Sequence, residues 1–239
     1  MVSGSCAMTH RGKNYNNARS KVSRDRLYTV DEALSIIRDT GFAKFDESVD
    51  VAICTGLDTR HADQQLRGSF SLPKGTGKVI RIAVFAVGEK EVEAREAGAD
   101  IIGSEDLAKR IQDEGFLGFD VVLAIPEMMK VVGRLGKILG PRKLMPNPKT
   151  GTVTNDLATA IQEYKGGKIN FQADAGGVIH ATIGRKSFEA DSLKENFDAF
   201  VKHIVKNRPP GAKGIYIKKI FVSTTMGPSM KIDVKLAIA

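Results

Sequence analysis

Between residues 79 and 140 the apolar positions come in short blocks, each followed by a charged stretch with helical spacing. "VIRIAVFAV" (79–87) predicts a buried strand, "EKEVEAREAG" a charged helix closed by Gly98, and "ADIIG" a second strand. "SEDLAKRIQDEG" predicts a helix with Ser104 at its cap and Gly115 at its end. "FDVVLAIP" is a third strand stopped by Pro126, and "EMMKVVGRLGKILG" (127–140) a further amphipathic helix. Regular strand–helix alternation of this kind predicts a small parallel sheet with helices on its faces.

The flanks carry a different rhythm. "TVDEALSIIRDT" predicts a helix capped by Thr29, and "ESVDVAICTGL" alternates like a half-buried strand. After the block come "KINFQAD" and "VIHATIG", with Gly176-Gly177 as a hairpin turn between them. A helix over about 190–206 follows, then the strand pair "GIYIKKIFVSTT" and "SMKIDVKL". The pattern predicts an α+β domain assembled from both chain ends, residues 1–74 and 167–239, with an α/β domain, residues 75–166, inserted into it. "LPKGTGK" (72–78), "GPRKLMPNPKTGTV" (140–153) and "YKGGK" (164–168) lie at or near the transitions, where two chain crossings permit hinge motion.

Composition adds a partner class. The 239 residues carry a formal net charge of +8, with a pI near 9.4, which points to a polyanion or a membrane surface. Residues 160–239 hold 13 basic against 7 acidic side chains, and residues 8–26 hold six basic residues against the single acid Asp25. The latter run reads as a flexible basic arm or, equally, as a solvated tail. Cys6 and Cys54 provide neither a disulfide framework nor metal-ligand spacing, which fits a reducing, cytoplasmic compartment. The longest apolar run, residues 80–87, is too short to span a bilayer, so no membrane partner is expected, and the opening "MVSGSCA" leaves open whether the chain starts at Met1 or Met8.

No catalytic constellation is visible. "KGTGK" tempts toward a phosphate loop, but the required positions are filled by Leu72 and Val79. The first strand of the inserted block is followed by "GEKEVEAREAG", which lacks the glycines a dinucleotide needs, so no cofactor is expected. His10, His61, His180 and His203 are scattered without ligand spacing, no metal is expected, and His180, within a strand, reads as structural. Lys44 and Phe45 precede a strand on which Ser48 and Asp50 alternate, a set able to offer a cation, an aromatic face and short polar groups to a nucleotide. Taken alone, Phe45 reads better as core and Lys44 as solvated. "VSTTMGPSM" (222–230) reads as a strand and turn.

Five strings in one order carry a resemblance: "KFDESVDVAICTGLDTRHADQQLRGSFSLPKGTGK", "LGKILGPRKLMPNPKTGTVT", "GVIHATIG", "PPGAKGIYIKKI" and "STTMGPS". With them the chain resembles the bacterial ribosomal protein L1 family from about residue 12 to 234. The resemblance implies a split ferredoxin-like α+β domain with an inserted Rossmann-like α/β domain, and no enzymatic activity or cofactor. It implies a free monomer that joins the large ribosomal subunit, binds 23S rRNA at the mobile stalk and assists release of deacylated tRNA from the E site. It also implies repression of translation through its own operon's mRNA. Carried over by position, the RNA surface comprises Lys44, Phe45, Ser48 and Asp50, then Asp174 and Gly176, then Ser223, Thr225, Met226 and Gly227, with Lys13 and Arg19 of the basic arm adding a salt-sensitive phosphate contribution.

The sequence departs from the family pattern in two places. Lys143 stands where the family has the second glycine of "GPRGLMPNP", so a loop needing positive φ is expected to change there. Asp174-Ala175-Gly176 replaces an Asp followed by a Lys-Thr or Lys-Asn pair, which weakens the case for side-chain contacts from 175 and 176. A nucleotide-dependent enzyme built on the inserted block is the competing class, and calorimetry with NAD, ATP and GTP discriminates the two.

Overall fold

A computed structural model describes residues 12–23, 26–212 and 214–238. Cys6, His10 and parts of the basic arm, residues 8–11 and 24–25, lie outside the described residues. The chain divides into two compact units, one formed by Met1–Leu66 with Ala173–Ala239 and the other by Arg67–Gln172. The class is the mixed α+β and α/β one expected from the hydrophobic pattern.

The first unit is built on an antiparallel sheet of four strands: β1 (Ser48–Thr55), β7 (Val178–Arg185), β8 (Ile217–Thr224) and β9 (Met230–Ile232), in the order β7-β1-β8-β9. Strict alternation along β1 sends Val49, Val51 and Ile53, all fully buried, to one face and leaves Ser48, Asp50, Ala52 and Cys54 on the other. The inner face is covered by helices α2 (Val30–Thr40) and α8 (Ala190–Lys206). Helix α2 starts in a reciprocal cap, with the Thr29 hydroxyl accepting from Glu32 N and the Glu32 carboxylate accepting from Thr29 N. Such a cap contributes about 1 kcal/mol. Leu193, Phe197, Phe200, Val201 and Ile204 form the apolar stripe of α8, each removed from water at a gain of roughly 1.5–3 kcal/mol. Buried Asn196 on the same stripe is satisfied, donating from Nδ2 to the Ile183 carbonyl of β7 at 2.8 Å.

Three expectations for this unit change. The basic stretch contains a short helix, α1 (Lys13–Ser20), with Ala18 and then Val22 buried, so the arm is tied down in part rather than freely solvated. The second half of "SMKIDVKL" leaves the sheet and forms helix α9 (Val234–Ile238). The hairpin between "KINFQAD" and "VIHATIG" is only a tight turn: Asp174 N donates to Val178 O and Gly177 N to Asp174 O, and beyond the bridge Ala173–Ile179 the two strands part. The first becomes β6 (Lys168–Gln172) of the second unit, paired antiparallel with β2 (Arg67–Ser71), while β7 pairs with β1. Each strand has its own partner far away in sequence, so the two do not stay paired with each other.

In the second unit a parallel sheet of β3 (Ile82–Phe85), β4 (Ile101–Gly103) and β5 (Val121–Ala124) has the order β4-β3-β5. All four residues of β3 are fully buried, as a strand covered on both faces requires. Phe85 packs on one side with Leu107 and Ile111 of α4 (Glu105–Asp113), Val132 of α5 (Met129–Arg134) and Leu139 of α6 (Gly136–Leu139). Val84 packs on the other with Ala94 of α3 (Glu89–Glu96) and Leu157, Ile161 and Tyr164 of α7 (Leu157–Lys165). Ser104 occupies the cap position of α4 but makes no side-chain cap bond. The helix expected over 127–140 is divided at Leu135. "KGTGK" has a structural use: at Gly167 (φ +104) any Cβ would collide with the backbone of Gly75, so glycine there lets two loops of this unit touch.

Candidate nucleic-acid interface

Glu47 is the pivot of the cluster. It is fully buried, in line with the inward row Val49, Val51, Ile53, and its two oxygens reach two segments distant in sequence. Oε1 accepts from Ala43 N at 2.8 Å and Oε2 from Met226 N at 3.2 Å. Burial alone pushes its pKa up, but the hydrogen bonds from Ala43 N, the Thr224 hydroxyl and Met226 N, and the nearby Lys186 charge, together hold it below the ordinary carboxylate value. The carboxylate therefore pins the loop carrying Lys44 and Phe45 to the turn after β8.

Around that pin the two segments clasp each other. Thr225 N donates to Ser48 O at 3.1 Å, and Ser48 N donates to Thr225 Oγ1 at 3.1 Å, extending the β1–β8 ladder past Val49–Thr224. The Thr225 hydroxyl is thus already engaged in the free protein. Gly227 N donates to Thr224 Oγ1 at 3.0 Å, and a Cβ at Gly227 would strike that same hydroxyl, so the turn requires glycine. With the backbone held in this way, Phe45 is 56% and Met226 50% exposed, two large apolar side chains left in water. Phe45 is therefore not core. Lys44 beside it is exposed.

One residue pair further along, Thr182, Asp50 and Ser223 stand side by side on the outer face of the sheet, and the Thr182 hydroxyl donates to Asp50 Oδ1 at 2.6 Å. The next row holds His180, Ala52, Phe221 and Lys231. His180 is not a core residue: its side chain is 66% exposed, with Nε2 3.8 Å from Asp174 Oδ2, because it takes an outward position on β7. Asp174 closes its turn by accepting from Gly176 N and Val178 N, each at 2.8 Å. This turn meets the far end of β1, where the Thr55 hydroxyl donates to Gly177 O. Seven residue steps of strand at about 3.4 Å each put it roughly 24 Å from Ser48 along the same sheet.

The site residues expected from sequence therefore divide into four groups. Lys44, Phe45, Ser48, Thr225, Met226 and Gly227 are brought together by Glu47 and the clasp, Asp50 and Ser223 form the adjoining row, and Asp174 and Gly176 lie at the other end. Lys13 and Arg19 are on α1 and share no hydrogen bond with the cluster. Sequence reasoning missed Glu47, Thr182 and the outward His180. The signal for Glu47 was present, since period two carried back from Val49 points it inward. Among the described residues no group of three or more His, Cys, Asp or Glu is arranged to hold a metal ion, and no helix is long and apolar enough to cross a membrane.

A sheet face with short hydroxyl and carboxylate side chains, bounded at one end by an exposed aromatic ring and thioether, can hydrogen-bond sugar hydroxyls and pack on sugars or bases. The family model described as Ribosomal protein L1p/L10e family matches residues 37–228. Similar curated proteins include the large ribosomal subunit protein uL1 of Rubrobacter xylanophilus, 54% identical over 222 residues, covering 93% of this chain and 96% of the relative. The protein of the same name from Fervidobacterium nodosum is 51% identical over 229 residues, covering 96% and 97%. That of Myxococcus xanthus is 52% identical over 229 residues, covering 95% and 96%.

Proposed function

The chain belongs to the ribosomal protein L1p/L10e family, and from that premise we propose that it is a structural constituent of the large ribosomal subunit, working in the cytoplasm, that binds 23S rRNA at the mobile stalk through the β1–β8 face of its first unit. The family is structural, not enzymatic. The observation that carries the reading is the pair of exposed apolar side chains, Phe45 and Met226, held by a buried carboxylate beside the polar row of Thr182, Asp50 and Ser223. Leaving both in water has no structural benefit for the free chain; a stacked base or a sugar covers them. Stalk binding, in turn, places the protein where deacylated tRNA leaves the E site, and the same surface serves a like structure in its own mRNA for repression.

The direct test is binding of a stalk rRNA fragment by Met226→Asp and Phe45→Ala, both at exposed positions where the fold is not at stake. Affinity is expected to fall about five- to hundredfold, the loss of one base-stacking or packing contact of roughly 1–3 kcal/mol. Unchanged affinity for both variants removes this surface from the site. A reporter carrying the operon leader, unresponsive to excess protein, would sink the repressor role.

A further inference from the structure

The second unit carries a cationic face that the first unit's site does not use. Residues 127–149 contain six cations, Lys130, Arg134, Lys137, Arg142, Lys143 and Lys149, against one acid, Glu127. All six are exposed, and among the described residues none is in an ion pair. Lys130, Arg134 and Lys137 follow the spacing i, i+4, i+7, and the buried Met128, Val132, Leu135 and Leu139 follow it two positions away. Two positions are about 200° around a helix, and on both sides of the turn at Leu135 the cations are exposed where the apolar row is buried, so they face away from the core. Gly133 and Gly136 lie between them, and a Cβ at either would meet nothing, so the backbone beside the cations is bare.

The helix then ends in a way that has a cost. Leu144 N donates to Leu139 O and Lys143 N to Gly140 O, each at 3.0 Å, the paired bonds of a Schellman cap. The cap puts its left-handed residue at Lys143, φ 60, the one positive-φ residue other than glycine among those described. Glycine is the residue that position favours, and a lysine there strains the backbone while adding one more exposed cation to the end of the row. The sequence expectation that the loop would change is thus reversed: the backbone keeps the left-handed turn and the side chain is added to it.

We propose that this face, Lys130, Arg134 and Lys137 with Lys143 at the cap, is a second RNA contact that grips phosphodiester backbone without reading bases. Lys130 and Arg134 on α5 and Lys137 on α6, just past the turn at Leu135, span about 10 Å if the rise stays near 1.5 Å per residue, a length that follows successive phosphates. An acidic protein partner fits less well, because no large hydrophobic side chain is exposed between Val92 and Val205, and a protein interface needs apolar anchors. The proposal deepens the RNA reading above and is tested apart from it. The probe is a short labelled RNA duplex of arbitrary sequence, titrated by anisotropy with the full chain carrying Met226→Asp, so that the first unit's specific contact is disabled. This variant is expected to keep salt-sensitive duplex binding. Adding Lys130→Gln, Arg134→Gln and Lys137→Gln is expected to weaken it about tenfold or more near 100 mM salt, and to flatten the slope of log K against log salt by roughly two to three units, about 0.7–0.9 per phosphate contact. An unchanged slope in the folded variant overturns the proposal, as does equal displacement of the duplex by poly-glutamate, which would make the face a site for acidic protein. The stalk fragment, not the duplex, tests the first unit, so either reading can fail alone.

Discussion

Removing the Glu47 carboxylate separates two effects, the stability of the first unit and the readiness of its proposed RNA surface. In Glu47→Ala both Ala43 N and Met226 N lose their acceptor. Each bond to a charged group is worth about 1.5–3 kcal/mol, and with relaxation toward water the expected loss is about 4 kcal/mol. Glu47→Gln keeps the volume and one acceptor oxygen but turns an amide NH2 toward the other N–H, for a loss of about 2 kcal/mol. Lys186 is partly exposed and adds at most about 1 kcal/mol. The pH dependence follows from the sign of the shift. The folded pKa lies below the ordinary glutamate value, so the contribution is complete above the unfolded pKa and is lost as pH falls through the folded one. Urea denaturation of the unsubstituted chain and of Glu47→Gln should therefore differ by about 2 kcal/mol at pH 7, and the gap should narrow as the pH falls from the ordinary glutamate value through the lower folded one. Under native conditions the folded Gln variant should also bind the stalk fragment more weakly, since the loop of Phe45 and the turn of Met226 are no longer pinned. A stability gap under about 0.5 kcal/mol, or one that stays constant with pH, would refute the assignment of Glu47 as an ionised buried pin.

Two substitutions probe glycine positions from opposite directions. Gly227→Ala forces a Cβ onto the Thr224 hydroxyl and should destabilise the first unit by about 1–3 kcal/mol in urea, with stalk-fragment affinity falling in the same variant. Lys143→Gly relieves left-handed strain at the cap and should raise stability by about 0.5–1 kcal/mol in a thermal melt, the unfolded chain's added freedom offsetting part of the gain. A stability loss in that variant would mean that the lysine side chain makes a packing contribution its exposure does not suggest.

The fold was legible where one period dominated. The parallel block from β3 to β5 declares itself through three apolar runs separated by helical spacing, and each run is a strand. Legibility failed where a segment serves two environments. "KINFQAD" and "VIHATIG" each alternate correctly and are joined by a turn with paired glycines, so local rules predict a hairpin. The ladder stops at Ala173–Ile179 because β6 is claimed by β2 and β7 by β1, a competition between partners far apart in sequence that no local window contains. Helix α1 was hidden for a related reason, since "KNYNNARS" has few apolar residues and is anchored chiefly through Ala18.

The candidate site shows the same division at the level of single side chains. Period two predicted that Ser48 and Asp50 share a face, and that is where they stand, but the same period carried one step back puts Glu47 among Val49, Val51 and Ile53. A carboxylate in an inward row is tolerable only if several donors converge on it, and the donors are supplied from Ala43 and from Met226, the latter 179 residues away in sequence. The inward acid is thus itself the sign of a long-range partner, because without one it would be neutral or the strand would be out of register. The consequence reaches the exposed pair. Phe45 and Met226 are not simply apolar residues that failed to find the core; each is attached to backbone that the buried charge holds in place, so the same interaction that stabilises the unit keeps both side chains outside it. An RNA that covers them meets a surface already ordered, and the entropy of fixing the loop and the turn has been spent during folding instead of during binding.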